Sequence, residues 1–148
     1  MKLLFVCTGN TCRSPMAMGL ARKHFPPGFQ ICSAGIHAWD GQWVSEQAVQ
    51  ALKKQGIDIS SHRANKLTKD MLADADYVFT MTVAQAQNLK QAYPEYKEKI
   101  YTLGVWVGSG KEVSDPIGGP LEVYCSCAQE LEQMIKAAAK KLTGRGGS

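Results

Sequence analysis

Cys7-Thr8-Gly9-Asn10-Thr11-Cys12-Arg13 places a thiol and a guanidinium at the two ends of one short polar loop. A free cysteine titrates near about pH 8.5 and is mostly unreactive at neutral pH, but loop amides, a helix N-terminus and a guanidinium lower that value. A cysteine so placed is a nucleophile. The residues between Cys7 and Arg13 have small or polar side chains, and their backbone is long enough to curl its N–H groups around one tetrahedral oxyanion. Arg13 can grip two oxygens of that anion with its planar fork and hold the phosphorus in line with the sulfur. The plain alternative is an inert strand-end cysteine beside a solvated arginine, since a Cys-x5-Arg spacing recurs by chance.

The flanking elements favour the first reading. Lys2-Leu3-Leu4-Phe5-Val6 is an apolar run suited to a buried strand, and it stops abruptly at the loop. Ser14 suits a helix N-cap and Pro15 the first helical position, so the loop should sit on a helix N-terminus. Gly9 and Asn10 supply flexible turn chemistry. A helix from Pro15 to His24 is ended by Pro26-Pro27-Gly28, and a second strand runs from Phe29 to Ser33. Ser45 can cap a helix through Gln55 with Gly56 to stop it, and Thr68 opens a short helix through Leu72. Tyr77 to Met81 reads as a third strand. Thr82-Val83-Ala84-Gln85 is a capping-box pattern that starts a helix to about Ala92. Ile100 to Leu103 gives a fourth strand, and from Pro120 apolar residues recur every three or four positions through Leu142. This alternation predicts an α/β fold, a single doubly wound domain with a four-stranded parallel sheet and helices on both faces. Such sheets bind ligands at the carboxyl ends of their strands, where Cys7 lies.

The bounds agree. A chain of 148 residues is the size of one domain, with a core large enough to dispense with disulfides. We expect the domain to span residues 1–142 and the glycine-rich tail 143–148 to be disordered. The formal charge of +4 is modest and its lysines are spread out, which favours a mild attraction for anionic substrates over nucleic-acid binding. The apolar run after Met1-Lys2 is too short for a signal peptide, so a cytoplasmic protein without a membrane association is expected. Five cysteines with no Cys-x-x-Cys argue against a disulfide framework or a zinc site, and reduced thiols fit the cytosol.

Val6-Cys7-Thr8-Gly9-Asn10-Thr11-Cys12-Arg13-Ser14-Pro15 resembles the phosphate-binding loop of the low-molecular-weight protein tyrosine phosphatases, and Asp115-Pro116-Ile117-Gly118-Gly119 resembles their second motif. Both occur in the right order, and the resemblance spans about residues 2 to 142. Thr11, where tyrosine-specific members carry a larger aliphatic residue, places the loop nearer the bacterial protein arginine phosphatase branch. From composition alone Asp115 is a turn residue. The resemblance makes it a general acid and then a base on a mobile loop, serving a cysteinyl-phosphate intermediate without metal or cofactor. It also implies that Thr8, Gly9, Asn10, Thr11, Cys12 and Ser14 line the phosphate site and that Trp39 is an aromatic wall of the cleft. By the same resemblance, Asn10, Ser14, Ser33 and His62 are expected to form a network holding the loop, with Ser14 also bonding the sulfur. One departure is Ile117, where arginine phosphatases often have an aromatic residue.

The expected substrates are phosphorylated proteins, and a monomer is expected. Phosphoarginine is the first choice, because Thr11 leaves less apolar packing for a phenyl ring and more room for a guanidinium; phosphotyrosine is the alternative. Cys7 and Cys12 can close a reversible disulfide under peroxide, although Cys12 as a packing residue is a fair alternative. Cys32, Cys125 and Cys127 read as core residues. An arsenate reductase of the same fold would need resolving cysteines within reach, and Cys125 and Cys127 on the last helix read as too distant. A non-catalytic phosphate-binding module is disfavoured by the joint presence of Cys7, Arg13 and Asp115.

Overall fold

The computed structural model describes residues 1–144. Four strands, β1 (Lys2–Cys7), β2 (Gln30–Gly35), β3 (Tyr77–Thr80) and β4 (Ile100–Thr102), form one sheet in the order β2-β1-β3-β4. Every pairing is parallel. This is the expected architecture, and the chain's reversal between β1 and β3 opens a crevice at the carboxyl ends of those two strands.

Alternation along β1 distributes the core. Leu3, Phe5 and Cys7 point to one face with buried residues of α1 (Arg13–His24), α2 (Glu46–Lys53) and α6 (Leu121–Thr143). Leu4 and Val6 point to the other face with Leu72 of α3 (Lys69–Asp74) and Ala86 and Leu89 of α4 (Val83–Ala92). The register of β1 therefore decides that the Cys7 thiol emerges on the α1 side.

Several ends differ from the sequence reading. Helix α1 begins at Arg13 with Cys12 at its N-cap, so Ser14 is not the cap but the second helical residue. No side chain caps this end, because the Ser14 hydroxyl is drawn to Cys7 instead. Ser45 does precede α2, but its hydroxyl meets the Gln47 side chain and not a backbone N–H. Helix α2 ends at Lys53, two residues before the expected Gln55, and Gly56, with φ +75°, lies in the turn that follows: its N–H reaches the Lys53 carbonyl and the Ile57 N–H reaches that of Leu52. Thr82 and Gln85 form the anticipated capping box. Two short elements were not legible, a 3₁₀ turn (Pro94–Lys99) and the four-residue helix α5 (Leu103–Trp106). Helix α6 continues past Leu142 to Thr143, and Gly144 at φ +69° closes it; the rest of the expected tail, residues 145–148, lies outside the described residues. No described helix is long and apolar enough to cross a membrane.

Candidate active site

The loop after β1 is built around Asn10, which is fully buried and has φ +55°, the one non-glycine positive φ among the described residues. Asparagine tolerates that left-handed conformation better than most residues. Its side-chain amide donates to Ser14 Oγ at 2.8 Å and Ser33 Oγ at 2.9 Å. Its Oδ1 accepts from the Asn65 backbone N–H at 2.8 Å and from His62 Nε2 at 3.2 Å. The expected network of Asn10, Ser14, Ser33 and His62 is thus present, with Asn65 as a member that sequence alone did not reveal. Burial holds His62 below its ordinary pKa, Arg22 and Arg63 push it the same way, and the Asn10 bond opposes them.

Cys7 Sγ lies at the floor of this loop, 2% exposed. Ser14 Oγ is 2.9 Å from it and the Asn10 backbone N–H donates to it at 3.3 Å. Because Ser14 Oγ already accepts from the Asn10 amide, its own proton is free to point at the sulfur. Above the sulfur, the N–H groups of Gly9, Thr11 and Cys12 have no acceptor among the described residues. They front the uncapped end of α1, whose dipole also favours an anion.

Arg13 closes the cradle. Its side chain is buried; Nη1 donates to the Val113 carbonyl at 3.1 Å and Nη2 lies 3.5 Å from Asp115 Oδ2. Nε is buried without any partner. An orphaned donor on a buried cation is costly unless a ligand satisfies it. One loop and the helix end that follows it therefore carry a sulfur, amides without acceptors and an unsatisfied guanidinium N–H.

Asp115 reaches this nest from the long connection before α6. Its Oδ1 accepts from the Ile117 N–H at 3.1 Å, a turn geometry, while Oδ2 faces Arg13. The carboxyl remains about half exposed. The turn role is realised, and the same carboxyl also lies beside Arg13. Cys12 Sγ is 4.0 Å from Asp115 Oδ1; burial, with the Cys7 charge next, pushes its thiol up to about 12. The expectation that Cys127 is remote is corrected: it contacts the carbonyl of Ser114, the neighbour of Asp115, at 3.9 Å, from a helix α6 that packs against α1 and α2. Burial, followed by Cys12, pushes its thiol up to about 12 as well. Cys32 and Cys125 are half-buried against the core, and all five cysteines are free thiols.

Two supports were missed. Gly35 pairs with Cys7 in register, and a Cβ there would lie 2.8 Å from the Thr8 carbonyl and 2.9 Å from the Asn10 nitrogen. Gln85, legible as a cap, also donates from Nε2 to Thr8 Oγ1 at 3.0 Å, tying α4 to the loop. Thr11 is buried, and its carbonyl accepts from Ser45 N at 2.8 Å. Trp39 is 79% exposed beside the loop, just past Ala38, which packs on Gly35. Trp43, also exposed, carries the Arg63 guanidinium 3.5 Å from its ring centre. No group of three or more potential metal ligands occurs among the described residues.

Comparison with known proteins gives a consistent picture. Residues 2–146 match the family model for low molecular weight phosphotyrosine protein phosphatase. The protein-arginine-phosphatase of Geobacillus stearothermophilus is 42% identical over 95% of this chain and 95% of its own. The low molecular weight protein tyrosine phosphatase of T. tengcongensis superposes with a TM-score of 0.91 at 46% identity, covering 95% of this chain and 99% of that one. A mutant of the YwlE arginine phosphatase with a phosphorylated active-site serine superposes with a TM-score of 0.90 at 34% identity, over 97% and 96% of the two chains.

Proposed function

The chain belongs to the low molecular weight phosphotyrosine protein phosphatase family, the cysteine-dependent protein phosphatases, and from that premise we propose that it hydrolyses phosphoarginine on proteins through a cysteinyl-phosphate intermediate. The observation that carries the reading is the buried, partnerless Nε of Arg13, at the end of the loop that holds the Cys7 sulfur and the free amides. A phosphoryl group would satisfy all of these donors at once.

In the first step the Cys7 thiolate attacks phosphorus, an S–P bond forms and the P–N bond breaks. Asp115 gives its proton to the departing guanidine nitrogen. Arg13 and the loop amides neutralise the oxygens as charge redistributes, with no reorganisation because the loop is already locked. In the second step Asp115 takes a proton from water, the water oxygen attacks phosphorus and the S–P bond breaks, releasing phosphate. The Ser14 hydroxyl, aimed at Sγ, stabilises the departing thiolate. The Arg13–Asp115 contact at 3.5 Å holds the acid over the nest, and the half-exposed carboxyl can also meet the substrate guanidinium.

Phosphoarginine is preferred to phosphotyrosine on two grounds. A relative with 42% identity over nearly the whole chain is a protein-arginine-phosphatase, and Thr11 presents a short hydroxyl side chain at the loop. The tyrosine reading keeps the same residues, with a P–O bond broken, and the 46% identity to a tyrosine phosphatase favours it. Arsenate reduction is disfavoured by charge and no longer by distance. Cys127, whose thiol burial pushes up to about 12, is a poor resolving nucleophile at neutral pH. The test is paired kcat/KM values on a phosphoarginine protein and a phosphotyrosine peptide. The proposal expects the first to be larger, and the reverse order assigns the tyrosine activity.

A further inference from the structure

Beyond the phosphate nest, two adjoining hollows of about 410 and 400 Å³ share His37 and Lys66 as lining residues and are taken together as one groove. One end opens at Trp39 and Asp40, beside the catalytic loop; the other is lined by Leu67, Leu89 and Tyr93. The groove is joined to the nest by backbone: Ile36 N donates to the Cys7 carbonyl and His37 N to that of Thr8, both at 2.9 Å. Two ionisable residues, His37 and Lys66, line both hollows, and Asp40 lines only the end at Trp39. Asp40 is committed, since its Oδ1 accepts from the Lys66 backbone N–H at 2.7 Å. The Lys66 ammonium has no ion-pair partner among the described residues, and neither has the His37 ring. A solvated lysine is common, but this one lines both hollows, with Leu67 and Leu89 in one and Ala38 and Trp39 in the other. There an extended chain entering the nest would lay its neighbouring residues, each advancing about 3.3–3.6 Å.

Resting on the phosphatase reading, we propose that this groove binds the segment flanking the phosphorylated residue of the protein substrate. It selects an aspartate or glutamate there, through Lys66, next to an apolar side chain over Leu67 and Leu89. A basic flanking residue would face Lys66 as a like charge.

The test is a panel of phosphorylated peptides in which Asp, Asn or Lys is scanned through the three positions on either side of the modified residue. The readout is the ratio of kcat/KM between peptides within each enzyme, with free phosphoarginine as the unflanked reference. For the unmodified enzyme, Asp should exceed Asn by about three- to fivefold at one or two positions on one side, the size of a partly exposed ion pair. Lys66→Met should flatten that ratio and Lys66→Glu should invert it toward the Lys peptide. A flat panel in the unmodified enzyme, or an Asp preference that survives Lys66→Glu, overturns the groove assignment while leaving the phosphatase intact. An enzyme that cleaves neither the peptides nor free phosphoarginine refutes the phosphatase reading and the groove with it.

Discussion

Asp115 and Thr11 divide the chemistry from the choice of substrate, and each can be tested singly. Asp115 stands between Arg13 and the Ile117 N–H, so removing its carboxyl takes away the proton donor without disturbing the sulfur. Asp115→Ala should slow turnover by roughly two to four orders of magnitude in steady-state assays, the usual worth of a general acid. A loss under tenfold would remove it from the mechanism. Thr11→Ile should shift the phosphoarginine to phosphotyrosine ratio of kcat/KM toward tyrosine, and an unchanged ratio would dissociate Thr11 from specificity. A Cys7–Cys12 bridge under peroxide is proposed too. Because burial holds Cys12 as a thiol, closure should speed up as the pH rises, which trapping with an alkylating reagent followed by mass spectrometry would show. At this scale the sequence was informative where spacing is short: the loop from Cys7 to Ser14 lies within one turn of chain. It was blind to Asn65 and to the nearness of Cys127, because those contacts are made by segments that meet only after the sheet has formed.

Elements were legible where local chemistry decides them, and boundaries drifted where tertiary contacts compete. The Thr82–Gln85 cap and the Gly56 turn are local; the cap stands as read, and the turn follows a helix that ends two residues before the expected Gln55. The N-terminus of α1 is not: Ser14, a good cap by propensity, gives its hydroxyl to the sulfur and leaves the helix end open for an anion. Helix α5 follows β4 directly, and Gly104 admits no side chain because a Cβ would collide with the Lys111 carbonyl; no periodic pattern announces such a short element. The strongest element-level test is Gly35. It is the point where β2 touches the loop after β1, and the atoms a methyl group would meet there, the Thr8 carbonyl oxygen, the Asn10 nitrogen and the Ala38 Cβ, are backbone or fixed directly to it and cannot swing away. Gly35→Ala should therefore lower unfolding stability by about 1–3 kcal/mol, measured by urea denaturation, and lower phosphate affinity with it. Stability and affinity both unchanged would show that the contact is slack.

For the molecule as a whole, the apolar runs and their alternation with helices were sufficient to read a four-stranded parallel sheet between two helical layers, but the order of its strands was not legible. Two global measurements follow from the site. The folded-state pKa of His62 lies below its unfolded value, so the unfolded chain binds the proton more readily. This histidine's contribution makes stability fall as the pH drops below about 6.5, until the folded state also protonates. His62→Gln should flatten that part of a thermal-denaturation profile. Inorganic phosphate binding only the folded nest should raise stability by about 2.7 kcal/mol at a hundredfold excess over its Kd, and Arg13→Ala should abolish the rise. The Asn10 side chain has a last consequence. It gathers β2, the segment around His62 and the first turn of α1 onto one amide, so loosening any of them would unshape the nest well before the sheet comes apart. Hydrolysis would then fail at gentler heating than circular dichroism registers, and the enzyme would act as an early alarm for its own melting.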